Sequence, residues 1–227
     1  MNFVYDGSFD GLLSALIKAA YSNNSTVSKD ELLIDENISV KSDRNTASEF
    51  EKDLYDDLLI LYLSETERLE EKALDYFKKI KKNGMRYRNN IADSSIKSVF
   101  EIKKRFFSEL ERLNGFVRFY EIDKNLMFSK VSPDSNIISF LGRHFMKKMK
   151  ENFIIFDEKR NIAFFRYGNR SIIKNIKELK FRPSKEEEKI NMLWKKYFND
   201  IAIKERVNPK LQKNLVPLKY RKNMIEF

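Results

Sequence analysis

Phe116-Val117-Arg118-Phe119-Tyr120-Glu121-Ile122, then Asp123-Lys124-Asn125, then Leu126-Met127-Phe128-Ser129-Lys130-Val131-Ser132 is the stretch that decides the fold class. Up to Leu113 the apolar residues mostly recur every three to four positions, the period of a helix buried along one face. From Phe116 the chain changes to aromatic and β-branched runs broken by a short polar connection, the composition of two strands and their turn. A second pair follows, with Phe153 to Asp157 and Ile162 to Tyr167 flanking Glu158-Lys159-Arg160-Asn161. Hairpins set among helices, without strict strand–helix alternation, predict an α+β fold: antiparallel hairpins packed within a mainly helical frame.

Upstream of the hairpin, Ile96, Val99, Phe100, Ile102, Phe106, Phe107, Leu110 and Leu113 mark a helix that opens at Ser94 or Ser95 and ends at Asn114-Gly115. Before it, Leu54, Leu58, Leu61, Tyr62, Leu69, Ala73, Tyr76, Phe77 and Ile80 keep a helical period from Thr46 or Ser48 to about Lys82. Asn83-Gly84 is the stop, since glycine accepts the left-handed conformation that closes helices. That stretch is readable as two helices broken near Ser64-Glu65. At the N-terminus Phe3-Val4-Tyr5 is a strand and Asp6-Gly7-Ser8 a turn. Phe9, Leu12, Leu13, Leu16, Ile17 and Ala20 then form a helix capped by Asp6 or Ser8. Thr26-Val27 and Ile38-Ser39-Val40 are short strand-like pieces.

Downstream, Ser132-Pro133-Asp134 starts a helix from Asn136 to about Lys150, and Pro183 opens another carrying Ile190, Leu193, Trp194, Tyr197 and Phe198. The spacing assigns Trp194, Tyr197, Phe198, Phe106, Phe107 and Phe140 to the core. With no repeat and no low-complexity linker, residues 1–227 are expected to form a single α+β domain, residues 41–95 being readable as a helical insertion or subdomain.

Composition narrows the chemistry. The chain has no cysteine and one histidine, which removes disulfides, thiolate metal sites, iron–sulfur clusters, cysteine nucleophiles and multi-histidine centres. An all-carboxylate Mg²⁺ or Mn²⁺ site is the kind left open; no cofactor is assigned. Met1 to Asp6 lacks the basic and apolar regions of a secretory signal, and no run approaches the ~20 apolar residues that span a bilayer. A cytoplasmic location without membrane contact is expected. Net charge is +10, unevenly placed: residues 1–60 hold 5 Lys/Arg against 12 Asp/Glu, residues 61–227 hold 39 against 22. A basic body of that size favours an anionic partner, and DNA is the expected one.

Two segments concentrate the cations. Lys78, Lys79, Lys81, Lys82, Arg86 and Arg88 fall within eleven residues that contain no acid. Such a cluster can neutralise phosphates, with Tyr87 available for stacking; it also suits the negative end of a helix dipole. Arg206, Asn208, Lys210, Gln212, Lys213 and Arg221 belong to a basic tail with the side-chain types that reach phosphates and base edges; its alternative role is to pin the C-terminus to the core. Arg143 completes the nucleic-acid candidates. Gly115-Phe116-Val117-Arg118-Phe119 resembles half of an RNA-recognition strand pattern, but Leu113 and Asn114 depart from it. Asp6 and Asp10 bracket the first strand–helix junction, where carboxylates hold metal ions, act as acid and base, or simply cap the helix. With His144 they are the catalytic candidates.

Five segments taken together resemble a known family. They are Phe3 to Gly11; Gly115 to Phe119; Ser132 to Ile137 with Arg143-His144-Phe145 after it; Ile155 to Arg160; and Arg206 to Arg221. Their order and spacing are similar to those of a bacterial family of DNA-metabolism and DNA-repair proteins, much of it a domain of unknown function. The resemblance covers nearly the whole chain, least clearly from about 40 to 95. It implies a role in handling damaged DNA beside a radical-SAM protein similar to spore photoproduct lyases, since members are typically encoded beside one; some are fused to a uracil-DNA glycosylase-like domain. It carries over no catalytic residue.

The resulting expectation is a DNA-binding accessory protein in DNA repair or metabolism that acts with a radical-SAM partner. A metal-dependent hydrolase or nuclease using Asp6 and Asp10, with Asp134, Asp157 or His144, is the second reading. A structural adaptor that binds only a partner protein is the third. The residues alone assign no reaction and leave the oligomeric state open.

Overall fold

The computed structural model describes residues 1–227 except 23, 34–35, 178, 180, 202, 204–207 and 225–227. It is mixed α+β. The chain divides into two compact units, residues 1–107 and 108–227.

The first unit opens with strand β1 (Asn2–Val4) and helix α1 (Phe9–Ala20). Gly7 takes φ +80° at the turn, a conformation that favours glycine. Ser8 is the N-cap, its hydroxyl accepting from Gly11 N at 3.0 Å. Strands β2 (Thr26–Ser28) and β3 (Asn37–Ser39) flank β1 in a parallel sheet of order β2-β1-β3. Asn2, fully buried at the sheet centre, donates to Ser28 Oγ at 2.8 Å and Asn37 Oδ1 at 2.9 Å and accepts from Thr26 Oγ1 at 3.0 Å. A buried amide is tolerated there because both its ends are satisfied.

A 3-10 turn (Arg44–Glu49) leads to α2 (Lys52–Leu63) and α3 (Leu69–Asn83). The break between the helices falls at Ser64, as the spacing suggested, with Glu65 and Arg68 at positive φ. Gly84 closes α3 at φ +81°. The core packs Leu12, Leu13 and Leu16 of α1 against Leu58 and Leu61 of α2 and Tyr76, Phe77 and Ile80 of α3. Helix α4 (Ser94–Phe116) adds Ile96, Val99 and Ile102. It runs past the expected stop: Gly115 does not take the left-handed turn seen at Gly84, and Val117 N still bonds Leu113 O at 3.0 Å.

The second unit is built on a five-stranded sheet of order β4-β5-β6-β7-β8. Strands β4 (Tyr120–Asp123) and β5 (Leu126–Val131) form the first expected hairpin, β6 (Asn152–Asp157) and β7 (Ile162–Tyr167) the second. Asn125 and Asn161 take positive φ at the turns. The hairpins are joined by a parallel β5–β6 pair, Phe128 opposite Ile154, with α5 (Ile138–Lys148) as the crossover. Strand β8 (Arg170–Asn175), unforeseen in the sequence, pairs antiparallel with β7 after Gly168-Asn169; it is exposed throughout and lies at the sheet margin. Both faces of β6 are covered. Phe153 stacks on Phe164 on one side, and Ile154 and Phe156 pack with Phe128 and Ala163 on the other.

Helices α6 (Lys185–Ile201), α7 (Pro209–Leu215) and α8 (Leu218–Arg221) follow. The assignment of aromatics to the core needs correction. Phe106 is fully buried, but Phe107, Trp194 and Tyr197 are exposed. Helical spacing defines an apolar face without specifying what covers it, and Ile190, Leu193, Trp194, Tyr197 and Ile201 on α6 are all exposed. Among the described residues no helix is long and apolar enough to cross a membrane.

Candidate nucleic-acid interface

The cation run at the end of α3 is mostly engaged with the protein itself. Lys78 Nζ donates to Ser25 Oγ at 2.9 Å, and Lys79 pairs with Asp93 at 2.5 Å, which raises the lysine pKa and lowers that of the acid. Lys81 Nζ lies 3.4 Å above the Tyr21 ring centroid, a cation–π contact. Arg88, on a 3-10 turn (Met85–Asn89), reaches Asp57 and Asp53, each at 2.7 Å. Lys82 and Arg86 are exposed and form no ion pair among the described residues. The helical turn that gathers these six cations in sequence distributes them around the helix end.

Residues 108–227 show a different arrangement: a cavity of about 520 Å³ lined by Arg118, Tyr120, Lys130, Phe181, Arg182, Lys222, Asn223 and Met224. Its position follows from strand geometry. Tyr120 faces Phe128 across the β4–β5 pair, and Lys130 stands two residues on from Phe128, on the same side of the sheet. Tyr120 and Phe181 both meet the buried Phe128 ring edge-on, at 5.5 and 4.9 Å between centroids. The Tyr120 hydroxyl donates to Phe181 O at 3.3 Å, and burial pushes its pKa up. Ser184 N donates to Glu121 O at 2.9 Å, so the segment carrying Phe181 and Arg182 is tied along β4. On the other side, Asn223 Nδ2 donates to Lys130 O at 3.1 Å, fixing the turn after α8 to β5.

Four basic side chains thus come from four segments to one concavity, in which no carboxylate is among the described lining residues. Glu158 stands behind two of them, 3.4 Å from both Lys130 and Lys222. Contacts of that length on partly exposed lysines contribute about 0–1 kcal/mol and exchange readily for a stronger anion. Arg118 donates to Gly115 O at 2.8 Å, which sets its guanidinium at the end of α4.

The tail residues are placed less compactly. Asn208 is the N-cap of α7, accepting from Leu211 N at 2.9 Å, and Lys210, Gln212 and Lys213 are exposed on that helix. Arg221 Nε donates to Val216 O at 3.0 Å. Arg143 is exposed on α5. Arg206 lies outside the described residues.

The candidate acids are occupied with local structure. Asp6 Oδ1 accepts from the Ser8 hydroxyl at 2.6 Å and Ser8 N at 3.0 Å, bonds that hold its pKa down, while Ser8 itself caps α1. Asp10 lies in the first turn of α1. Asp134 pairs with Lys219, whose ammonium also approaches Glu109 at 3.4 Å. Burial raises the pKa of Asp157 even though Arg160 holds it at 2.8 Å. His144 packs edge-on against Phe145, its Nε2 buried without a hydrogen-bond partner among the described residues; burial, then Lys148 and Lys147, lower its pKa. Among the described residues no group of three or more His, Cys, Asp or Glu side chains is arranged to hold a metal ion.

Reading the sequence missed Lys130, Arg182 and the two aromatic walls, and left Lys222 unassigned within the basic tail. The signal available was aromatic–basic adjacency, in Arg118-Phe119-Tyr120 and Phe181-Arg182, separated by about sixty residues and joined only by the fold.

A family model described as a domain of unknown function, DUF4130, matches residues 67–226. Neither the curated proteins nor the solved structures contain a match.

Proposed function

Taking as premise that this chain belongs to the DUF4130 family, we propose that it is a nucleic-acid-binding accessory protein of DNA repair or metabolism, with the cavity of residues 108–227 as its main contact. The observation that carries the reading is the convergence of Arg118, Lys130, Arg182 and Lys222 on a concavity walled by Tyr120 and Phe181. Cations that neutralise phosphates supply most of the affinity for nucleic acid, and aromatic faces add sequence-tolerant stacking to bases. Exposed Lys210 and Lys213 on α7, Lys82 in the last turn of α3 and Arg86 after it supply further backbone contacts. Resemblance to DNA-repair proteins encoded beside a radical-SAM enzyme makes such an enzyme the proposed partner.

Fluorescence anisotropy with labelled single- and double-stranded DNA, repeated across a salt series, tests this. The expected result is binding that weakens steeply with salt, with a log–log slope of about −0.7 to −0.9 per phosphate neutralised. Absence of binding at low salt overturns it.

A further inference from the structure

We propose that a second cavity, within residues 1–107, receives one large apolar side chain from an extended segment of a partner protein, and that Glu49 and Glu51 on its rim pair with lysine or arginine residues two positions to either side of that anchor. The site lies apart from the nucleic-acid reading, and each stands or falls without the other.

The floor of the cavity follows from how α2 begins. Phe50 and Glu51 are extended, between the 3-10 turn that ends at Glu49 and the first turn of α2. Side chains alternate along extended backbone. Phe50 therefore turns into the core, 9% exposed, while Glu49 and Glu51 stay at the surface. The Phe50 ring lies 5.2 Å from that of Phe77, centroid to centroid. With Leu54 of α2 and Ile80 of α3 these rings make a buried apolar floor, and half-buried Ile17 and Met85 pack against it.

Size narrows the occupant. The cavity is about 320 Å³ and open to solvent at its rim. That is near the lower end of the range for ligand pockets. It suits one large side chain better than an extended ligand. Apolar pockets of this kind seat the aromatic or aliphatic anchors that carry most of the energy of a protein interface.

The rim selects the neighbours of the anchor. The carboxylates of Glu49 and Glu51 line the cavity and have no ion pair and no hydrogen bond among the described residues. Lys81, also in the lining, has its ammonium 3.4 Å above the Tyr21 ring centroid, so that ring holds it. Two neighbouring carboxylates repel a phosphate and attract an ammonium or a guanidinium. Complementary charges of this kind set partner choice and register more than raw affinity. Cations two residues from the anchor share its face of an extended segment and so approach the rim with it.

The full chain, ¹⁵N-labelled, is titrated at low salt with three capped peptides and a single-stranded oligonucleotide. The peptides are Ser-Lys-Ser-Phe-Ser-Lys-Ser, its counterpart with Glu for Lys, and its counterpart with Ala for Phe. The amide shifts of Leu54, Gly84 and Met85 report on the cavity. Glu49→Lys with Glu51→Lys is carried through the same series, with a thermal melt matching the parent as the control for folding. The peptide comparison on the parent chain decides alone where the double variant does not fold.

The expected result is about tenfold tighter binding of the Lys peptide than of the Glu peptide. The Ala peptide should leave the three amides unmoved, and the double variant should prefer the Glu peptide. Equal binding of the Lys and Glu peptides overturns the proposal, as does an equal response to the Ala peptide. No shift with any peptide at millimolar concentration overturns it too. Oligonucleotide-induced shifts at the three amides, without shifts from the Lys peptide, would assign the cavity to nucleic acid instead.

Discussion

Arg88 Nε lies 2.7 Å from Asp57 Oδ2, and that carboxylate, 2% exposed, is also bound by Lys103 and by the Tyr76 hydroxyl. One acid from α2 therefore ties together α3, the 3-10 turn after it and α4. Breaking a buried pair by removing one partner leaves an uncompensated charge, at a cost of about 3–5 kcal/mol. Asp57→Ala is expected to lose stability on that scale in urea denaturation. Arg88→Ala is expected to be destabilising as well, while the DNA affinity of the folded protein stays unchanged, because Arg88 serves the fold.

The same carboxylate gives a pH signature. Burial pushes its pKa up, but hydrogen bonds from Arg88, Lys103 and Tyr76 outweigh burial and hold it below the usual value. A carboxylate with a depressed folded-state pKa stabilises the fold above its unfolded pKa, about 3.9, and that contribution is lost as pH falls through the folded value. The stability gap between the parent and Asp57→Asn should therefore stay constant from pH 7 to about 5 and narrow below about 4. Urea midpoints across that range measure it; a gap that widens on acidification contradicts the assignment.

Gly142 lets α5 lie close against the sheet. A Cβ there would meet the Phe164 ring at 2.3 Å. Gly142→Ala must displace a buried ring of β7, a change that costs about 1–3 kcal/mol. Phe164→Leu in the same chain relieves the clash, so the double variant should be less destabilised than the sum of the two singles.

Charge reversal separates the two basic regions. Arg182→Glu with Lys222→Glu is expected to weaken DNA binding strongly and to reduce the salt slope by about 0.7–0.9 for each phosphate that is no longer neutralised. Lys82→Glu with Arg86→Glu should have a smaller effect on both. The reverse order in anisotropy titrations would move the main DNA-binding surface to residues 1–107.

Trp194, the chain's one tryptophan, is 44% exposed on α6. Iodide and acrylamide should quench its fluorescence readily in the free protein. Binding of a partner protein on α6 would shelter it and reduce that quenching.

Local order was largely legible in the sequence. The strand–turn–helix of residues 2–20, the break at Ser64, the stop at Gly84 and both hairpins follow from period, caps and turn residues. The β5–β6 parallel pairing was not, because a crossover is decided by how α5 packs and not by the strands it joins. Strand β8 was overlooked although Gly168-Asn169 is a two-residue turn signal. The cavity was legible only in pieces, because a site shared among residues 118, 130, 182 and 222 has no local spacing to betray it. The run at 78–88 showed the opposite error: density along the chain does not reveal which cations already have carboxylates or aromatic rings as neighbours.

Strand β8 also governs how copies of the protein behave in a crowded tube. Among the described residues it pairs with β7 alone, its Ile172 and Ile173 are exposed, and Arg170 and Lys174 stand near its two ends. An unpaired edge invites a second chain to extend the sheet, and like charges on that edge are the usual deterrent. At 1 M salt the range of such repulsion shrinks to about 3 Å. Concentrated, salty stocks are therefore the condition under which molecules should first adhere edge to edge, and dilute, low-salt buffers the condition that keeps them apart.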